Sequence, residues 1–269
     1  LKDNYIIEGF IKDTKASFFK NYKLSKLNFK FDLTKDNINL SNLNAKFNNL
    51  DLKSNLISAK KINNGYLVKG NIENDVIELN DKDFIFLKEK IFKETDIKKI
   101  KFSSKNDFSL KINKKLQLKD TKIKSKINLY EAQILKKMNL KEIFPEFKNN
   151  ISILNQTIDL NYKKDFLSIN GNGKILIQKS EDLISYKIEK NKDKLIFKNT
   201  FKINKNPFLI RSLNYKKKND TETIIKFNGH KDKKNKIYIQ SASIGEKKNK
   251  IEIKNIYFDK NFKIEKFDN

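Results

Sequence analysis

His230 is the only histidine in 269 residues. Any imidazole base, metal ligand or catalytic triad would have to be built on it. It lies in the loop-like run Asn228-Gly229-His230-Lys231-Asp232-Lys233-Lys234, and among so many lysines it reads as a solvated side chain. The chain has no cysteine, which removes disulfides and thiolate chemistry. Without Cys or a second His, no imidazole or thiolate metal cluster forms. The 33 carboxylates are scattered on polar positions beside lysines, and no spacing picks out an acid–base pair. No nucleophile-elbow sequence accompanies His230. Gly171-Asn172-Gly173 is too short for a dinucleotide loop and runs on into strand-like text, so it reads as a turn or bulge. Three runs match glycosylation acceptors: Asn150-Ile151-Ser152, Asn155-Gln156-Thr157 and Asn219-Asp220-Thr221. In an Asn-rich chain they arise by chance. The expectation is a protein that is not an enzyme and carries no metal and no cofactor.

The formal net charge is +26, and its make-up decides how to read it. Arg211 is the only arginine. Base readout and phosphate forks favour the planar guanidinium, so no specific nucleic-acid partner is expected. The lysine clusters also lack the interleaved aromatics of a single-strand binder. Lys, Asn, Ile and Phe are inflated together, as AT-rich codons would produce, and most of the lysines read as a solvated face. Lys216-Lys217-Lys218 and Lys231, Lys233 and Lys234 read as solvated loops, or as a rim attracting phosphate. The 21 Phe and the regularly placed Ile separate the chain from disordered ones.

The elements that would hold such side chains alternate with period two. Leu27, Phe29, Phe31 and Leu33 alternate with polar residues; so do Leu43, Ala45 and Phe47, then Leu50 and Leu52. Phe108, Leu110 and Ile112 follow, with Leu116 and Leu118 around Gln117. The second half repeats the pattern in Ile158, Leu160 and Tyr162; Leu167 and Ile169; Ile184, Tyr186 and Ile188; Phe201 and Ile203; Ile225 and Phe227; Ile251 and Ile253. This is the mark of half-buried antiparallel strands. Short polar turns separate them at Lys35-Asp36-Asn37, Asn48-Asn49, Asn63-Asn64-Gly65, Asn74-Asp75 and Asn191-Lys192-Asp193. One stretch departs: Ile134, Leu135, Met138, Leu140, Ile143, Phe144 and Phe147 fall at helical spacing. The pattern predicts a short helical connector over 131–147, ended by Pro145, between a first β half (1–130) and a second (148–269).

The fold expected is mainly β, a single elongated and curved antiparallel sheet with one short helical element near the middle. Roughly fifteen strands at about 4.8 Å would run roughly 70 Å. A sheet that long curls, and its apolar face then lines a groove. A sandwich packing two such faces on each other uses the same alternation. An open apolar groove needs contents, and phospholipid acyl chains are the simplest. The groove-lining candidates are the alternating residues above: Leu27, Phe29, Phe31, Leu33, Leu43, Phe47, Leu50, Leu52, Phe108, Leu110, Ile112, Leu116, Leu118, Leu160, Tyr162, Leu167, Ile169, Phe201, Ile203, Ile225 and Phe227. No run approaches the roughly 18 apolar residues of a membrane span. The chain also starts at Leu1 without a signal-like core, and so reads as a piece of a longer polypeptide.

The stretch Leu27–Asn74 (LNFKFDLTKDNINLSNLNAKFNNLDLKSNLISAKKINNGYLVKGNIEN) resembles the repeating strand text of the AsmA-like superfamily. So do LKEIFP (Leu140–Pro145) and LSINGNGKILIQKSEDLISYKIEK (Leu167–Lys190). PFLIRSLNYKKKND and IIKFNGH continue in the style of its YhdP-type branch, and TamB-type proteins share much of this text. The resemblance implies a periplasmic β-groove in a Gram-negative envelope, anchored in the inner membrane by a part of the chain outside this segment. It also implies phospholipid traffic toward the outer membrane, and it offers no catalytic residues. The alternative expectation is a structural or adhesive β segment, a sandwich or solenoid, that binds no lipid.

Overall fold

A computed structural model describes residues 5–18, 22–48, 50–81, 96–115, 117–135, 140–211, 214–217, 221–259 and 264–268. The strands β1 (Ile7–Phe18), β2 (Tyr22–Leu33), β3 (Asn37–Phe47), β4 (Leu50–Ile62) and β5 (Gly65–Asn80) follow one another as hairpins. Three longer strands come next: β6 (Asp96–Asn113), β7 (Leu118–Leu135) and β8 (Asn150–Lys163). Then come β9 (Phe166–Leu176), β10 (Glu181–Lys190) and β11 (Lys194–Ile203). A small hairpin, β12 (Leu209–Ile210) and β13 (Tyr215–Lys216), interrupts the run before β14 (Thr223–Asp232), β15 (Ile237–Glu246), β16 (Asn249–Phe258) and β17 (Ile264–Asp268). Apart from β12 and β13, all of them join one 15-stranded antiparallel sheet in sequence order, with β14 beside β11. The expected mainly β class and the single long antiparallel sheet are therefore present, with β12 and β13 paired apart from it.

The chain divides into two compact units. One comprises Leu1–Phe84, Lys101–Ile127 and Leu160–Lys164; the other comprises Ile85–Ile100, Asn128–Asp159 and Asp165–Asn269. In the first, the register joins β1 to β5 into rows across the strands. Leu33 pairs with Ile38, Ile38 with Ala59 and Ala59 with Val68; the next row is Phe31, Leu40, Ile57 and Gly70. Bulges cross this region. Asp13, Lys26 and Asn42 adopt positive φ (47°, 49° and 54°), and the pairing shifts beside them. An extra residue resets the alternation. Ile38 and Leu40 before Asn42 therefore share the apolar face with Leu43, Ala45 and Phe47 after it. A local device closes each bulge: the Asn28 amide donates to the Lys26 carbonyl (2.7 Å), and the Asn44 amide to that of Asn42 (3.2 Å). Asn28 also accepts from the Asp13 backbone N–H at 3.0 Å, tying the β1 bulge to that of β2.

In the second unit a true core forms. Ile175, Phe201, Ile203 and Ile244 present one sheet face, Ile177 extends it just past β9, and Phe144, Phe147 and Phe208 close over it. The covering residues come from the stretch after β7 and from the insertion carrying β12 and β13. Hydrogen bonds join them: Leu209 N–H donates to the Ile143 carbonyl at 3.0 Å, and Lys217 N–H to that of Phe208 at 2.9 Å. Gln178 clamps both pieces, accepting from Glu146 N–H (2.9 Å) and donating to the Pro207 carbonyl (2.7 Å).

Several expectations need correction. No helix forms over 131–147 among the described residues. Residues 131–135 finish β7, 140–146 make turns closed by Ile143 and Phe144 N–H on the Leu140 carbonyl, and 136–139 lie outside the described residues. The helical spacing arose because Leu140, Phe144 and Phe147 are anchors of a covering turn, whose apolar residues must all point one way. Asn74-Asp75 is not a turn, since β5 runs through it and Asn74 is buried, accepting from Ser104. Gly171-Asn172-Gly173 lies inside β9, where the Tyr186 ring covers Gly171 so closely that a Cβ would fall 2.2 Å from it.

Candidate functional site

The first unit carries the candidate apolar face in its most open form. Leu27 is buried; Phe29, Phe31, Leu33, Leu43, Phe47, Leu50 and Leu52 are half-buried, as are Phe108, Leu110 and Ile112 on β6. Phe29 and Phe31 stack at 6.5 Å between ring centroids. Leu24, Phe47 and Leu50 form another cross-strand row. These residues stand on one sheet because hairpins with short turns closed by polar side chains fix the register. At one such turn Asn37 N–H bonds the Thr34 hydroxyl at 3.1 Å while Thr34 N–H bonds the Asn37 carbonyl at 2.8 Å. Leu118 is exposed, and Leu116 lies outside the described residues.

A polar seam, which alternation alone did not predict, crosses the same unit. Ser54, Asn74, Ser104 and Ser125 are all buried. Ser54 donates to Asn71 at 3.2 Å, and Asn106 donates both to Ser104 (2.8 Å) and to the Ile72 carbonyl (3.0 Å). Small hydroxyls and amides there satisfy one another where bulges disturb the ladder. The signal that would have found the bulges is the text Ser25-Lys26-Leu27-Asn28, echoed by Ser41-Asn42-Leu43-Asn44.

The remaining candidates fall into different surroundings. Leu160 is half-buried and Tyr162 exposed at the end of β8. Leu167 and Ile169 are half-buried on β9. Phe201 and Ile203 do not face open space: they sit in the closed core of the second unit, with Ile203 fully buried and Ile225 packed against them. Phe227 is exposed on β14, its ring edge-on to Phe197 at 6.2 Å. Phe144, Phe147, Phe208 and Gln178 build the cover, and alternation gave no hint of the last two. The signal for Phe208 is the break at Asn204-Lys205-Asn206-Pro207, where strand text stops.

The groups with acid–base chemistry are structurally engaged. His230 is not in a loop; it is half-buried in β14, stacked on Tyr238 at 5.1 Å. Burial first, then the charge of Lys194, lowers its pKa. Tyr238 stacks in turn on Tyr257 (4.7 Å), and the Lys266 ammonium lies 4.5 Å over that ring. Asp182 is only 1% exposed. It accepts from the Asn206 amide (2.6 Å) and from Asn204 N–H (3.3 Å). Burial pushes its carboxyl upward against those bonds and the nearby Lys217. Lys217 is itself buried rather than a solvated loop lysine. Tyr215 donates to Glu246 at 2.7 Å, Thr223 donates to the same oxygen at 2.8 Å, and the phenol is pushed up to about 12. Among the described residues no group of three His, Asp or Glu side chains is placed to hold a metal. Compared with family models, curated proteins and solved structures, the chain finds no match.

Proposed function

We propose that this chain is a segment of an AsmA-like envelope protein. In this reading its apolar sheet face holds phospholipid acyl chains in transit between the inner and outer membranes of a Gram-negative bacterium. The observation that supports this most is the half-exposed state of the cross-strand rows in the first unit, where Phe31, Leu40 and Ile57 follow one another on adjacent strands. An acyl chain gains about 0.8 kcal/mol per methylene against water, but a bilayer interior offers the same. Transfer from bilayer to sheet is then nearly isoenergetic, which suits a carrier that passes lipid along and does no chemistry on it. Its partners in this reading are the acyl chains and the remainder of a longer, membrane-anchored periplasmic chain.

A second reading has its own support. The core around Ile203 is closed by its own chain, as a structural or adhesive β segment would be throughout. Native mass spectrometry with lipid extraction, on the segment expressed with its flanking regions, separates the two. Co-purifying phospholipid that disappears in Leu110→Asp supports the carrier. A well-folded protein free of lipid rejects it in favour of the structural reading.

A further inference from the structure

The polar face of the second unit has a dent. On that face Ile224 pairs with Gly245 and Gly245 with Lys250, while Lys226, Ser243 and Glu252 form the adjoining row. Gly245 supplies no side chain to its row, and a cleft of about 630 Å³ opens there. Lys226, Lys247 and Lys250 line it against one carboxylate, Glu222, with Ser243 and Asn249 adding polar groups. That size is within the range of small-ligand sites.

Among the described residues the nearby acids leave two of the three lysines, Lys226 and Lys247, without an ion-pair partner. Strand alternation sends Glu246 to the opposite face, where Tyr215 and Thr223 hold it at 2.7 and 2.8 Å. Glu252 is taken up by Lys250 at 2.7 Å. Lys202, paired with Ile224, adds another cation beside the cleft. The two unpaired ammonium groups on a concave floor match an anion with several oxygens, for which lysine serves as a point charge. Ile224 offers an apolar wall to the carbon skeleton next to it.

We infer that this cleft binds a phosphate ester, carried by a small molecule or by a lipid head group. The site lies on the face of β14 and β15 opposite Ile225 and Ile244, and it stands whether or not the rows of the first unit hold acyl chains.

Gly245 also makes the inference testable without altering charge. A Cβ built there meets only the Asn249 carbonyl at 3.6 Å, an ordinary contact, and the backbone is regular strand. Gly245→Val therefore fits the strand, whose propensity it improves, and fills the dent. Binding of sn-glycerol 3-phosphate to the full chain would be measured by calorimetry at low salt, with glycerol as the uncharged comparison. Glycerol phosphate is expected to bind and glycerol not. Gly245→Val should weaken binding at least about tenfold by occupying the concave floor. Lys226→Gln should weaken it about fivefold. Lys198→Gln, on the same face but outside the cleft, should leave it unchanged. Wild-type affinity in Gly245→Val would overturn the inference. So would an equal loss in Lys198→Gln, which would mean that the chain's diffuse positive field does the binding. Phosphatidylglycerol vesicles identify the source. If they displace glycerol phosphate, a head group is the ligand; if they do not, while Gly245→Val still abolishes binding, a soluble phosphate ester is.

Discussion

Asp182 is the carboxylate whose surroundings differ most from water, and its titration should be visible in stability. Burial holds its proton to a higher pH than in the unfolded chain. The stabilisation from protonation is therefore complete below the ordinary carboxylate value and lost as pH rises through the raised one. Urea unfolding from about pH 4 to pH 7 should show wild type losing stability relative to Asp182→Asn over that window. A difference moving the other way would mean that Lys217 outweighs burial. At Tyr215 the sign is fixed by a hydrogen bond: Tyr215→Phe leaves Glu246 with one donor fewer. It should cost about 1–2 kcal/mol at neutral pH, read from denaturant midpoints. The positive-φ positions give a third test. Lys26→Gly removes the left-handed strain of a side chain at φ 49° and should be tolerated. Asn42→Val places a β-branched residue at φ 54° and should cost about 1–2 kcal/mol. Equal melting temperatures for the two variants would deny that the bulges need these conformations.

Among the elements, the cover over the second unit is the part most open to disruption. Phe147 is 2% exposed, and Phe147→Ala should cost about 3–5 kcal/mol. It should also raise the binding of a hydrophobic dye, as the face carrying Ile203 becomes wet. Gln178→Leu should do the same more weakly, because it leaves Glu146 N–H and the Pro207 carbonyl unpaired. How much of this was legible in the sequence follows from what alternation encodes. Rows such as Phe29, Phe31 and Leu33 could be read because a strand's period is set by its own backbone. The bulge at Asn42 escapes alternation, because one extra residue erases the pattern it resets, and only the repeated Ser-x-Leu-Asn text marks it. Phe144 and Phe147 looked helical because two kinds of element place side chains on one side at spacings of three and four. Nothing local marked Gln178 or Asp182: a clamp is defined by what it clamps, and those backbones are far away in the chain. Alternation passes over Gly245, and only its neighbours across the strands give the gap a meaning.

At the scale of the whole molecule, the sheet runs in sequence order, so nearly every strand is paired with its neighbours in the chain. Stability then approximates a sum over adjacent pairs. Amide hydrogen exchange should be slowest in β9–β11, β14 and β15, whose faces carry the buried cluster, and faster in β1–β4, where the rows are half-exposed. Uniform protection would argue for a core not seen in these contacts. The insertion bearing β12 and β13 begins after Ile203 and ends before Thr223, and those two residues face each other as partners in the sheet. The ends of the excursion are therefore already together. A single deletion could remove half the cover, or a single insertion install it, while leaving the register of every other strand untouched. Lineages of this chain are thus free to gain or shed a roof over their apolar face in one genetic event, and selection can tune how much of it stays bare without redesigning the sheet.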